Sequence, residues 1–407
     1  MKGVNTQERI NYIITFGAIA YSGIHFFSMP VISKLLFFVL LTILFFRRGL
    51  KIDPSIIYVS IAFSIILLTQ HILFAKFKYM DYFEFLLPRV FTSYLLIKIL
   101  GLRFPYYYIR VIYVYSIISL IFWSLSNTFP AFTEFISQIP RNWNTDPHET
   151  VDQQFIIYTY EPHLIDVLGL QLYRNPGPFI EPGAWGLYLI LAFAFKIMEN
   201  KGSMDKISYV LIITIISTFS TATLLSFFVL FIYLVSRTRI SLILKVPVYI
   251  FVFYISVQSF YTFAFMYEKI EKRYSWEMDK PLYGVMGGRF YGARKAIYVL
   301  NKYPLTGRAM TESTQPKDEF SKEYVRYGIM SQASQTGLIL FFLYLMLLLL
   351  SLKRYSRWYN YRNNFYIFIY IALLISMFAQ DFGLKPVFMM LIFTPLIFKP
   401  VDSEQQK

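Results

Sequence analysis

The chain has 407 residues, of which 56% are hydrophobic and 20% aromatic, and its formal net charge is +15. This composition lies outside soluble globular usage, and the lack of cysteine excludes disulfides, thiol catalysis and cysteine–metal sites. The basic residues cluster in short links between apolar runs, so the charge indicates membrane topology rather than nucleic-acid binding.

Apolar segments follow one another along the whole chain. They fall at about 10–27, 31–46, 54–75, 82–100, 105–125, 182–198, 207–219, 221–236, 240–266, 331–350, 365–380 and 386–398. The sequence therefore predicts an all-α, polytopic membrane helix bundle of about 12 transmembrane helices. The segments 207–219 and 386–398 are shorter than usual spans. The first run has no small-residue cleavage site, so we expect a span there rather than a signal peptide.

The basic links fix the predicted orientation. Arg47 and Arg48, Lys201 and Lys206, and Arg237 all follow even-numbered spans. By the positive-inside rule, these links and both termini are predicted to lie in the cytoplasm. Lys76 and Lys78 are exceptions, because they fall in a link that this topology places outside. The residues 1–407 then form a single membrane domain with two large outer loops, 126–181 and 267–330. Loops of that length are usually functional or disordered.

The first outer loop ends in the stretch R-N-P-G-P-F-I-E-P-G-A-W-G, residues 174–186. Its prolines and glycines indicate a bent, rigid segment, and Pro182 suits the first turn of the following helix. Glu181 then lies at the helix N-terminus, where the dipole favours negative charge. Two interpretations of Glu181 stay open: a helix cap, or a base for a hydroxyl nucleophile. Most other acidic residues of this loop suit a solvated surface.

The core of the second outer loop is G-G-R-F-Y-G-A-R-K-A-I-Y-V-L-N-K-Y-P-L-T-G-R, residues 287–308. Helical periodicity places Phe290, Ala293, Ile297 and Leu300 on one apolar stripe. Arg289 and Arg294 flank the stripe, Lys295 points away, and the helix stops before Pro304. Either the arginines snorkel from an interfacial helix, or both guanidiniums bind one anionic headgroup.

Several other residues bear on the chemistry. Arg89, beside Pro88, is a cation within the fourth span; such residues are costly, so we expect a functional role or, less well placed, an ion pair with Glu84. The four histidines (His25, His71, His148 and His163) are scattered, which argues against a metal site. The sequence has no nucleotide-binding motif. Its substrate would then be already activated, and arginines would replace a metal as charge stabilisers.

Taken together, these features resemble the O-antigen polymerase and ligase superfamily. The stretch 174–186 is similar to that family's loop-to-helix junction, R-x-x-G-x-F-x-(E/N)-P, and 289–307 is similar to its second periplasmic loop, which ends in N-x-P-L-x-G. The stretch S-Q-A-S-Q-T-G-L-I-L-F-F-L-Y-L, residues 331–345, resembles the segment that re-enters the membrane. The resemblance covers most of the chain.

The resemblance implies a multi-pass inner-membrane glycosyltransferase of the GT-C-like class, with short helices in its periplasmic loops and its active site facing the periplasm. It would join undecaprenyl-diphosphate-linked oligosaccharides with inversion, without a metal or cofactor, and a chain-length regulator protein would be a further partner. Arg174, Arg289 and Arg294 would hold the donor diphosphate, and Glu181 would orient or deprotonate the acceptor. Reserve and further substrate-binding candidates are His163, Asp166, Arg89, Tyr291 and Arg308.

Two departures separate the alternatives. Ligases of the superfamily carry a histidine before the re-entering segment, where this chain reads Y-G-I-M-S-Q, so a polymerase is favoured over a ligase-type transferase. The family's S-R pair after the seventh span is replaced by residues 220–223, S-T-A-T. A polysaccharide flippase is the competing class, and it would show broken helices or paired charges in corresponding positions of two halves.

Overall fold

The computed structural model describes residues 6–24, 31–74, 79–137, 153–154, 157–161, 164–167, 169–237, 289–308, 310, 328–361 and 364–398. The predicted span 240–266 and most of the second outer loop lie outside this part. The helices are α1 Thr6–Gly23, α2 Val31–Arg47, α3 Ser55–Phe74, α4 Tyr79–Phe85, α5 Thr92–Leu100, α6 Phe104–Thr128, α7 Pro130–Ser137, α8 Pro182–Glu199, α9 Lys206–Ser217, α10 Thr221–Arg237, α11 Arg289–Lys302, α12 Gly328–Trp358, α13 Phe365–Ala379 and α14 Pro386–Ile397. A π-helix, Leu86–Phe91, and a 3₁₀ turn, Gly101–Arg103, flank α5.

The described chain is mostly helical, as predicted. Within it, three helical stretches are long and apolar enough to cross a membrane: Ser55–Phe74, Met80–Thr128 and Gly328–Trp358. The helices α9, α10, α13 and α14 are apolar but shorter. These features are those of a helical membrane protein, whereas the predicted number of spans stays a prediction.

The chain divides into two compact units. Unit 1 comprises residues 1–111, 282–370 and 377–407, and unit 2 comprises residues 112–281 and 371–376. In unit 1, α14 is buried from Pro386 to Thr394 and packs against α1, α5 and α12. The helix α11 packs along α12. Apolar burial on this scale explains why a short helix such as α14 is stable.

The π-helix carries Pro88 and Arg89. Proline has no N–H to donate, so the regular helical hydrogen-bond pattern is interrupted here. Thr92 Oγ1 donates to the Leu87 carbonyl at 2.8 Å, and the Ser93 hydroxyl donates to the Arg89 carbonyl. The guanidinium of Arg89 lies over the Phe85 ring, 4.6 Å from its centroid. The side chain of Glu84, the alternative partner, lies outside the described part.

The helix α12 is broken at Gly337. This residue has φ 74° and ψ 164°, a conformation that favours glycine. The half before the break, 328–336, is buried and polar, with Ser331, Gln332, Ser334, Gln335 and Thr336; the half after it is apolar. The N–H of Leu338 donates to the Pro304 carbonyl at 2.8 Å. The re-entering segment predicted from 331–345 is therefore two helices joined at a kink.

The helix α11 confirms the predicted helix from Arg289 and its end before Pro304. The predicted faces are wrong for Lys295, which is 5% exposed, and for Ile297, which is 48% exposed, whereas Leu300 of the predicted stripe is buried. Ala296, Val299 and Leu300 form the buried side. Helical periodicity predicted an apolar stripe on a different side of α11, because the local sequence does not reveal where the packing partner α12 lies.

In unit 2, the described residues of the predicted first outer loop, 126–181, include α7 and two antiparallel hairpins. Strands β1 Gln153–Gln154 and β2 Thr159–Tyr160 form one, and β3 Leu164–Val167 and β4 Leu170–Tyr173 form the other. The expectation of short helices is met by α7, but the hairpins were not predicted. The loop then joins α8, which is buried from Pro182 to Met198 and packs against α9 and α10.

A charged cluster closes the α8–α9 connection. Lys196 Nζ lies 2.7 Å from Glu199 Oε2 and 2.9 Å from Asp205 Oδ2. Asp205 caps α9, since its Oδ1 accepts from the Ser208 N–H at 3.0 Å. Burial opposes ionisation, but the Ser208 N–H and the Lys196 ammonium lower the pKa of Asp205 well below its usual range. This carboxylate therefore stabilises the folded state.

Candidate functional site

Residues 173–181, called here the Arg174 junction, connect β4 to α8. Tyr173 is fixed through its backbone: its N–H donates to Asn127 Oδ1 at 2.8 Å, and its carbonyl accepts from Trp123 Nε1 at 2.7 Å. The junction is thus tied to α6 on the side of β4. Loops that hold side chains in place are usually anchored in this way to a rigid scaffold.

Asn175 is the central anchor of the junction and is completely buried. Its Nδ2 donates to Ser217 Oγ at 2.9 Å and more weakly to Ser119 Oγ at 3.4 Å, while its Oδ1 accepts from the Gly177 N–H at 3.0 Å. Its own N–H donates to the Ser217 carbonyl at 3.0 Å. A buried carboxamide satisfied in this manner specifies one conformation.

The turn after Asn175 requires glycine at position 177. Gly177 has φ 57°, and an added Cβ would lie 2.7 Å from Trp185 Nε1. Phe179 stacks on Trp185 with ring centroids 5.5 Å apart. The aromatic packing ties the junction to the first turn of α8, so the predicted rigid segment is confirmed.

Arg174 projects from this anchored backbone. Its Nη1 lies 3.2 Å from Glu161 Oε1, and both side chains are largely buried, with 12% and 13% exposure. Its Nε is buried and has no hydrogen-bond partner within the described residues. Beside the pair, burial and a hydrogen bond with Tyr173 raise the pKa of Tyr160 to about 12, so this phenol stays neutral. The arrangement holds a guanidinium with hydrogen-bonding capacity left over.

Glu181 occupies the N-cap position of α8, with φ −126° and ψ 142°, and Pro182 follows in the first turn, as predicted. Its carboxylate makes no capping hydrogen bond and is exposed. Glu181 therefore takes the predicted N-cap position without a capping hydrogen bond from its side chain, and the favourable position in the helix field remains. An exposed carboxylate thus directly precedes a buried apolar helix.

The two reserve candidates of this loop, Asp166 and His163, differ in what the structure describes. Asp166 is exposed and serves the β3–β4 turn, because its Oδ1 accepts from the Gly169 N–H at 2.9 Å and its Oδ2 from Gln171 Nε2 at 3.2 Å. This structural role removes the main reason for placing Asp166 in a site. His163 lies outside the described residues.

The remaining predicted residues belong to unit 1. Arg289 and Tyr291 lie in the first turn of α11, but their side chains are outside the described part; Arg294 is half-buried one turn later. Arg308 follows α11, with its guanidinium 4.7 Å from the centroid of the Phe74 ring. Arg174 and Glu181 thus share unit 2, whereas the other arginines of the prediction belong to unit 1.

Sequence reasoning missed three groups. Glu161 was assigned to the solvated loop, yet it pairs with Arg174. His71 was counted as an isolated histidine, yet its Nε2 lies 3.1 Å from Asp81 Oδ2 and its Nδ1 2.8 Å from the Leu67 carbonyl, with both side chains buried. Gln70, its neighbour, binds three backbone groups, as described below. Two adjacent polar residues within an apolar span were the available signal.

No protein-family model and no curated protein matches this sequence. The described residues contain no group of three or more carboxylate or imidazole side chains placed to hold a metal. The prediction of metal-free chemistry remains a prediction.

Proposed function

We propose that this protein is an integral-membrane glycosyltransferase that polymerises a bacterial surface polysaccharide of the O-antigen type from polyprenyl-diphosphate-linked repeat units. The observation that carries the proposal is the Arg174 junction: a rigid loop that holds a largely buried guanidinium and is followed by an exposed carboxylate at the start of a buried helix. Such a loop offers both a cation for a leaving diphosphate and a base for an acceptor hydroxyl.

In this proposal the acceptor hydroxyl oxygen attacks the anomeric carbon of the donor. The bond between that carbon and the diphosphate oxygen breaks, the anomeric configuration inverts, and Glu181 receives the hydroxyl proton. Arg174 stabilises the negative charge that develops on the leaving diphosphate, because a planar guanidinium binds two oxygens at once. The periplasmic location of the reaction belongs to the proposal.

The test is to incubate purified protein in detergent with a lipid-diphosphate-linked repeat unit, without metal or nucleotide, and to resolve the products on a gel. A ladder that grows by whole repeat units supports the proposal. Arg174→Ala and Glu181→Gln should each lower the rate at least about 100-fold. Matched controls are Arg103→Ala and Glu134→Gln, both at exposed positions, which should leave the ladder unchanged. Normal polymerisation by Arg174→Ala would refute the assignment.

A transporter of the same lipid is the second candidate, favoured by the break in α12 and the buried His71–Asp81 pair in unit 1. Broken helices and buried ionisable pairs are typical of transport sites. Transbilayer movement of the lipid in vesicles, with no ladder from the cognate repeat unit, would favour this candidate.

A further inference from the structure

Residues 303–308 and Met310, called here the Arg308 turn, follow α11, and their backbone bonds to α12 on either side of its kink, at Ser334 and Leu338. Gln70, completely buried at the end of α3, holds this turn. Its Nε2 donates to the carbonyls of Thr306 and Gln335, both at 2.7 Å, and its Oε1 accepts from the Met310 N–H at 3.1 Å. One carboxamide thus ties together α3, the turn and the polar half of α12.

The same helix end supports the guanidinium of Arg308. Phe74, one turn after Gln70, lies 4.7 Å from it, and Tyr303 packs edge-on against Phe74 with ring centroids 4.7 Å apart. The Arg308 N–H donates to the Ser334 carbonyl at 2.7 Å. The residue is therefore fixed through both its backbone and one face of its side chain.

One N–H at the edge of the guanidinium remains unsatisfied in the part of the chain that the structure describes. Arg308 Nε is buried and makes no hydrogen bond within the described residues, and no carboxylate of that part forms an ion pair with Arg308. A buried donor without a partner is costly, so a ligand with oxygen acceptors would relieve it. A stacked guanidinium presents its N–H groups in a plane, which suits two oxygens of a phosphate or diphosphate.

We propose that the Arg308 turn is an oxyanion site for the phosphate or diphosphate class, in which Arg308 binds the anion and Gln70 is a positioning residue. This anion-site proposal rests on the proposed function only where it identifies the anion with the headgroup of a lipid-linked substrate. An arginine that only snorkels to the interface would not need the three buried hydrogen bonds of Gln70 to locate its loop.

The test is isothermal titration calorimetry of the full-length protein in detergent, which measures its affinity for inorganic pyrophosphate and, separately, for farnesyl diphosphate. Arg308→Lys should weaken binding at least about 10-fold, since lysine has no planar fork. Gln70→Glu should do the same, because it preserves shape but turns an acceptor toward the carbonyls of Thr306 and Gln335. Gln7→Glu makes the same change at an exposed position and should bind as the wild type does.

If Gln70 acts only by positioning Arg308, its substitution must have no effect once Arg308 has been replaced. In an Arg308→Gln background, Gln70→Glu should cause no additional loss, because contributions that act through one residue are not additive. An equal loss in both backgrounds overturns the role of Gln70. Wild-type affinity of Arg308→Lys, or no saturable binding of either probe to the wild type, overturns the site, even where Gln70→Glu does not fold.

The two probes separate the sources of the anion. Tighter binding of farnesyl diphosphate than of pyrophosphate supports a lipid headgroup, and equal binding supports a free anion at the same site. Because binding is measured without polymerisation, the two proposals fail separately. Binding without a ladder refutes the polymerase alone, and a ladder with unchanged binding by Arg308→Lys refutes this site alone.

Discussion

The Arg174 junction should open more readily in an Asn175→Ala variant. The substitution removes two short hydrogen bonds of the carboxamide, at 2.9 and 3.0 Å, and one long one at 3.4 Å. At about 1 kcal/mol for each short bond, the junction loses about 2 kcal/mol of local stability. This corresponds to a roughly 30-fold increase in its opening equilibrium.

Hydrogen–deuterium exchange measured by mass spectrometry reports this opening. The Thr159 N–H donates to the Gly177 carbonyl at 2.7 Å, so its exchange should accelerate by that factor. The Gly177 N–H loses its acceptor, Asn175 Oδ1, in this variant and is no measure of the opening. Asn301→Ala, at an exposed position of α11, should leave the Thr159 amide unchanged. Unchanged exchange in Asn175→Ala, or equal acceleration in the control, would contradict the view that this side chain fixes the junction.

Three further predictions concern topology, the kink and the charged cluster. With no native cysteine, an impermeant maleimide should label Leu170→Cys from the periplasm but not Ser203→Cys; the reverse result would invert the topology. Gly337→Ala should lower the melting temperature, followed by tryptophan fluorescence, more than Gly49→Ala. Both glycines have positive φ, which strains an alanine by about 1–3 kcal/mol, but of the two only position 337 would bring the Cβ against backbone, at 2.1 Å. Asp205→Ala should be less stable than the wild type near neutral pH; because the folded pKa is lowered, the difference is present above about pH 4 and disappears as the pH falls through the lowered value. Asp205→Asn keeps the cap and should lose less, so equal losses would argue against the cap.

The sequence predicted the features that local chemistry decides. The bounds of most apolar helices follow from the lengths of the hydrophobic runs, and the start of α8 at Pro182 and the end of α11 before Pro304 follow from proline. Glu181 was therefore placed correctly at the head of α8.

The features that tertiary contacts decide were not predicted. Gln70 is separated in sequence by 236 residues from Thr306 and by 265 from Gln335, and no local pattern carries such a pairing. The Glu161–Arg174 pair depends likewise on how the hairpins fold against the junction. The burial of Lys295 depends on the position of α12, and periodicity alone favours an exposed lysine.

The kink at Gly337 bears on the order of events during biosynthesis. The apolar part of α12, Leu338–Leu352, ends before Lys353 and Arg354, and at 1.5 Å per residue it extends about 22 Å, against a hydrocarbon core of about 30 Å. The polar half would be costly in lipid alone. Gln70, whose carboxamide accommodates it, lies far earlier in the chain and is synthesised first. We therefore expect the polar half of α12 to pack onto an α3 that has already been inserted.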